Sequence, residues 1–280
     1  MSDGQPTLAL YPQTGVAASA RRVRALIRRH AYLLLKSWPR LVSMTYYPTV
    51  TMVLWGFVTI YLKPTNNFLQ SAPGFFLGAV LLWDVLFRGQ LGVSLTFIEE
   101  LYARNLGNLF VSPLRHYELI AGQLVMSILR TLIGVGGACV FAWLLFHYSI
   151  FSYGLPLIAF FANLLMFGWA IGLAVSGMVL RWGLGAEELA WAAIFLFAPV
   201  SGVYYPIGVL PAALQTIAYT LPSAYVFEGM RAVLLTQTFR WDLLLRAFAL
   251  NVVWVAIGIA LFRVAIAYAR KRGMLLQMGE

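Results

Sequence analysis

The sequence predicts an all-α integral membrane protein: six transmembrane helices, an N-terminal interfacial helix, and a re-entrant extracytoplasmic helical pair before the last span. Three observations predict it. Of the 280 residues, 61% are hydrophobic and 11% charged, against roughly 45–50% and about 25% in soluble domains, so a water-soluble fold would lack the charges to cover its apolar surface. Nearly uncharged stretches long enough to cross a bilayer, about 20 residues each, recur along the chain. Lys and Arg collect on alternate connections, as cytoplasmic flanks require. Cys139 is the single cysteine, so neither an intrachain disulfide nor a thiolate metal cluster is available.

From the N-terminus, residues 1–18 read as a disordered cytoplasmic tail. Ala18, Ser19 and Ala20 imitate a cleavage site, but the basic run follows them instead of preceding an apolar block, the reverse of a secretory signal. Residues 19–37 form an amphipathic helix, with Val23, Leu26, Ile27, Ala31 and Leu34 on one face. Arg21, Arg22, Arg24, Arg28, Arg29 and Lys36 occupy the other, suited to a membrane interface with anionic headgroups. A nucleic-acid partner is disfavoured, because the run leads straight into a span.

Residues 38–272 make the membrane domain and 273–280 a cytoplasmic tail. Spans are expected at 41–62, 75–98, 119–146, 155–180, 189–204 and 243–269. The second carries Asp84 and Arg88, four residues apart and able to pair on one helical face, placed by this reading on the cytoplasmic half. The third carries Arg130, with Asp84 or Glu99 as partner. Gly168 and Gly172 in the fourth form G-x-x-x-G, a close-packing signal. Thirteen Lys and Arg fall on one side (seven between Arg21 and Arg40, then Arg104, Arg115, Arg181, Arg270, Lys271 and Arg272) and four on the other (Lys63, Arg231, Arg240 and Arg246). Both termini are therefore expected in the cytoplasm.

Residues 201–240 are too apolar for an exposed loop, yet Pro206, Pro211 and Pro222 forbid one long helix. Two short helices fit, near 212–220 and 225–235. Non-helical backbone at membrane depth must be buried in protein or face a water-filled cavity, which suits either a pathway exit or a structural cap. The loop over 99–123 mixes Glu99, Glu100, Arg104, Arg115 and Glu118 with apolar Leu106, Leu109, Phe110 and Val111, so it is either a solvated turn or a surface that a partner covers. His30, His116 and His147 are scattered, so neither a metal site nor a catalytic residue is expected.

These features resemble the permease subunit of the type-2 ABC exporter family. Pro206-x4-Pro211, Pro222 and Glu228-x2-Arg231 are similar to that family's re-entrant segment, and Glu99-Glu100-x3-Arg104 followed by Leu109-x2-Ser112-Pro113-Leu114 to its first cytoplasmic loop. The resemblance spans about 21–272. It implies a non-enzymatic homodimeric permease in the inner or plasma membrane, with two copies of a separate ABC ATPase binding ATP and Mg. It also implies ATPase coupling through Glu99, Glu100, Arg104, Asn105, Leu109, Ser112 and Pro113, with a second contact at Glu187 and Glu188. An exit segment would hold Gly202, Tyr204, Pro206, Pro211, Pro222, Glu228 and Arg231, and spans two and five would line the route. The phosphate-cradling pattern G-x-x-x-x-G-K-[ST] is absent, since Lys36–Ser37 lacks the glycines. The expected cargo is lipid-like, amphipathic or drug-like. A surface glycan or glycolipid is the alternative within the family, and an ion-coupled secondary transporter using Asp84, Arg88 and Arg130 the alternative outside it, although no inverted repeat is visible. A membrane scaffold is a third reading.

Overall fold

The computed structural model describes residues 15–62, 74–103, 105 and 114–272, without the side chains of Leu184, Glu187 and Leu189. The predicted terminal tails, apart from Gly15 to Ala18, and the positions Lys63, Arg104, Leu106, Leu109, Phe110, Val111, Ser112 and Pro113 lie outside the described residues. The helices are α1 (Val16–Leu35), α2 (Trp38–Leu62), α3 (Phe75–Tyr102), α4 (His116–Phe146), α5 (Leu155–Trp182), α6 (Glu187–Phe197), α7 (Ala212–Ala218), α8 (Pro222–Thr236) and α9 (Trp241–Lys271). No strand occurs among the described residues. Helix α1 begins at Val16, inside the stretch expected to be a tail.

Local chemistry sets the boundaries. The Arg115 N–H donates to Glu118 Oε2 at 2.9 Å, satisfying a donor at the start of α4. His147, at φ 50, ends that helix in the left-handed region. Pro156 stands in the first turn of α5 and Pro222 opens α8, where a missing N–H costs nothing.

Among the described residues, five helices (α2, α3, α4, α5 and α9) are long and apolar enough to cross a membrane. The sequence reading places a further full span at 189–204, and here the structure differs. Helix α6 has 11 residues, about 16 Å at 1.5 Å per residue, and passes into a 3-10 turn, Ala198–Val200. Pro199 and Gly202, the latter at φ 63, terminate it. Apolar composition continues beyond the point where the backbone stops being helical.

Helix α3 is the axis of the bundle and is buried on nearly every face. Helix α5 reaches it through the predicted glycines. A Cβ on Gly168 would lie 2.7 Å from the Leu86 carbonyl oxygen, and one on Gly172 2.7 Å from that of Gln90, so the two backbones touch. Helix α9 packs on the other side of α5, where Asn251 Nδ2 donates to Asn163 O at 3.0 Å and Asn163 Oδ1 at 2.9 Å. Helix α1 pairs with the end of α3 and the start of α4. Arg181, at the end of α5, stacks over Tyr268 near the end of α9, 5.3 Å from the ring centroid. Arg270 acts electrostatically on His116. Helix α1 and the C-terminal end of α9 therefore both lie near the start of α4, at one end of the bundle, called here the α1 end.

Candidate functional site

Three carboxylates near the α1 end organise the ends of four helices. Glu118 opens α4 with its side chain fully buried, and Arg22 of α1 grips it with two donors, Nε at 2.9 Å and Nη2 at 2.6 Å. That hydrogen bonding raises the already high pKa of Arg22. Glu100, in the last turn of α3, accepts from Arg29, from His30 Nε2 at 3.1 Å and from Asn105 Nδ2 at 2.8 Å. Glu99 accepts from Arg130 Nη2 of α4 at 2.7 Å and from Arg40 Nη1 of α2 at 3.2 Å, with His30 Nδ1 3.9 Å away. Helices α1, α2 and α4 thus converge on adjacent residues of α3.

This network corrects two expectations. Arg22 and Arg29 do not face the headgroups with the other basic residues; they turn inward beside Leu26, which fills the space above Gly122. Arg21, Arg24, Arg28 and Lys36 remain exposed. Both inward arginines lie within one turn of Leu26, and buried carboxylates at Glu100 and Glu118 demand partners. Glu99 and Glu100 are not loop residues but belong to α3, while Glu118 through Gln123 belong to α4. Sequence reasoning missed His30. Its spacing, four residues after Leu26 on the inward stripe, was the available signal.

Asp84 and Arg88 pair as their spacing predicts, Nε to Oδ2 at 2.5 Å, and both are 8% exposed. Measured from Phe75 they lie about 14 and 20 Å along a helix of about 40 Å, so both stand in the half of α3 away from the α1 end, Arg88 close to the middle, and not in the half toward α1 that the expected cytoplasmic placement requires. Gly134 of α4 makes room for the guanidinium, since a Cβ there would collide with Arg88 Nε. Of the two partners considered for Arg130, Glu99 is the one bonded.

Helix α3 is open along one stripe, among the described residues: Phe76, Trp83, Phe87 and Leu95, continued at its end by Glu99 and Tyr102. Trp55 of α2, stacked on Tyr204 at 4.4 Å, borders it on one side. Trp191 and Phe195 of α6, whose rings lie 6.4 and 5.8 Å from Phe87, border it on the other. The buried Asp84 and Arg88 are not on this stripe.

The segment before α9 is tied by the two charged residues of its motif. Arg231 Nη1 pairs with Glu228 Oε1 at 3.0 Å, and that oxygen also accepts the Ile207 N–H at 3.0 Å. Arg231 Nη2 donates to the carbonyls of Gly202 and, at 2.6 Å, Tyr205. Ser201 and Ser223 share a hydrogen bond of 2.8 Å. The turn over Gly202 to Pro206 is thereby clamped onto α8, with Pro211 preceding α7 and Pro222 opening α8. Glu188 is exposed at the start of α6. Among the described residues no three His, Cys, Asp or Glu side chains gather as metal ligands.

Among curated proteins, none matches this chain. The family model described as ABC-2 type transporter matches residues 21–235, from within α1 through α8. That match covers most of the chain and the two motifs just described. The chain therefore belongs to the ABC-2 type transporter family, as a multi-pass membrane permease.

Proposed function

We propose that this permease is the membrane half of an ATP-driven exporter, working as a homodimer with two copies of an ABC ATPase that bind ATP and Mg. In this reading the chain crosses the membrane six times. Helix α6 and the clamped segment after it make the fifth crossing, α7 and α8 form a re-entrant pair in the outer leaflet, and both termini are cytoplasmic. The distribution of Lys and Arg supports that orientation. The ATPase docks at the α1 end, on the connection between α3 and α4, with Glu188 at a second contact. Glu99 and Glu100 transmit its movement rather than touching it, because their carboxylates are already occupied by α1, α2 and α4.

The single observation that supports a lipid-like or amphipathic cargo is the open stripe of α3 from Phe76 to Leu95, which is apolar and largely aromatic and is flanked by aromatic side chains of α2 and α6. A route of that lining favours acyl chains and planar apolar groups over bare polar glycans. Alternating access would expose it first toward the α1 end and then toward the clamped segment.

The test is transport in proteoliposomes containing the chain and its ATPase. Fluorescent lipid, amphipathic drug and glycan cargoes are compared with and without Mg-ATP and a proton gradient. Lipid or drug export that needs nucleotide and survives collapse of the gradient is expected. Gradient-driven movement without nucleotide would refute the proposal. Glu99→Ala with Glu100→Ala should abolish stimulation of the ATPase while membrane insertion is retained.

A further inference from the structure

The face of α4 that meets α3 carries more polar atoms than the protein itself satisfies. Gln123, Ser127, Thr131 and Gly134 recur at helical spacing, with Arg130 beside Thr131. Ser127 is satisfied, its hydroxyl donating to the Gly89 carbonyl at 2.9 Å and accepting from Trp169 Nε1 at 3.2 Å. The others are not. Both amide atoms of Gln123, the Thr131 hydroxyl and Arg130 Nε have no hydrogen-bond partner among the described residues, although Gln123 is 1%, Thr131 0% and Arg130 4% exposed. Buried polar atoms in folded proteins are nearly always paired, and ordered water does the pairing where protein groups do not reach.

The stripe is also continuous with charge at both ends. Arg130 joins it to Glu99 and so to the network at the α1 end. Gly134 joins it to Arg88 and Asp84 at the middle of the bundle. Beyond that pair, Asp84 acts electrostatically on Cys139, and the hydroxyls of Tyr148 and Tyr153 meet over Gly78. Apolar packing covers the outer side of α4, where Leu129, Leu132 and Val140 are exposed. The unpaired polar atoms of α4 therefore follow one internal seam and not the lipid-facing surface.

We propose that the α3–α4 seam is a water-binding site. A file of waters enters beside Glu99 and Arg130, completes the hydrogen bonding of Gln123, Thr131 and Arg130, and reaches the Asp84–Arg88 pair. Hydration from the α1 end explains how an ion pair is held midway along a buried helix, where a charge in dry hydrocarbon is costly. The seam lies within one chain, and from Arg130 inward it runs between α3 and α4, away from the aromatic stripe of Phe76 to Leu95, so this aqueous approach depends neither on cargo nor on an ATPase.

Hydroxyl radicals made from water by X-ray radiolysis oxidise side chains beside bound water even when those are buried, which gives a direct test in the full-length chain in lipid nanodiscs. Met126 lies on the inward side of α4 between Gln123 and Arg130, and Met52 lies on α2; both are 0% exposed. Met126 should be oxidised several-fold faster than Met52, and equal slow oxidation of the two would overturn the proposal. Gln123→Leu gives a second reading. In a hydrated seam it slows Met126 oxidation without raising thermal stability. A rise in Tm would mean that two unsatisfied atoms had been removed from a dry interface, which also overturns it.

Discussion

Replacing Glu100 by Ala tests whether this carboxylate holds α1 against the bundle. The two α1 donors that would lose their acceptor are not equivalent. The Arg29 side chain is 38% exposed, so water takes over most of its charge and its contribution is small. His30 is 2% exposed and its Nε2 stays buried; an orphaned buried donor costs about 1–3 kcal/mol. That loss multiplies the detached population of α1 about 5- to 150-fold, at about 1.4 kcal/mol per factor of ten. Trypsin cuts after Arg21, Arg24 and Arg28, which α1 exposes. When opening is fast relative to cutting, the cleavage rate follows the open population. Cleavage within α1 is therefore measured in nanodiscs, with exposed Glu188→Ala as the control. The variant should be cut at least fivefold faster than the parent chain, and His30→Ala added to it should contribute less than it does alone. A change under twofold would refute the assignment of Glu100 as the tether.

Three further outcomes rest on the geometry. Gly168→Ala should lower stability by about 1–3 kcal/mol, because its Cβ meets α3 backbone at 2.7 Å, whereas Gly136→Ala, with nothing within 4 Å, should be neutral or slightly stabilising; thermal melts of the two variants decide it. Asp84→Asn leaves Arg88 without its carboxylate and should cost about 2.5–3.5 kcal/mol, while Asp84→Leu combined with Arg88→Met should recover much of the loss, read as folded yield and Tm. Arg231→Lys cannot span the Gly202 and Tyr205 carbonyls with a planar fork. Losing one charge-assisted bond of about 1.5 kcal/mol should speed amide exchange across 202–207 about tenfold, and unchanged exchange would refute the clamp.

The long helices were legible because length and uninterrupted apolar character are local properties. So were α7, which starts at Ala212 after Pro211, and α8, although α8 starts at Pro222, three residues before the expected 225. Helix α6 was misjudged for a related reason. Hydropathy runs smoothly through Pro199 to Tyr204, but the backbone leaves the helix at Pro199, and a composition average does not register that. The side taken by Arg22 and Arg29 was not legible from the helical pattern at all. An arginine turns inward only where an acceptor is buried, and their acceptors stand 96 and 71 residues away in sequence. The Asp84–Arg88 pair is the converse case, since spacing of four fixes both partners locally.

The asymmetry of the α1 network bears on how the domain is divided. In the two pairs that α1 itself makes, the carboxylate is the buried member and the arginine the more exposed one: Glu118 0% against Arg22 17%, and Glu100 2% against Arg29 38%, for side chains. An exposed arginine without a partner is readily solvated, whereas a buried carboxylate without one is costly. The bundle therefore depends on α1 more than α1 depends on the bundle, and α1 is a structural member of the helical bundle rather than a separate segment ahead of it. The same contacts flank the connection between α3 and α4 on both sides, with Glu100 and Asn105 before it and Arg115 and Glu118 after it. A force applied to that connection reaches α1 through both carboxylates together. It reaches α2 through Arg40 and the middle of α4 through Arg130, by way of Glu99. A partner that moves this one connection would displace four helices without touching any of their buried charges.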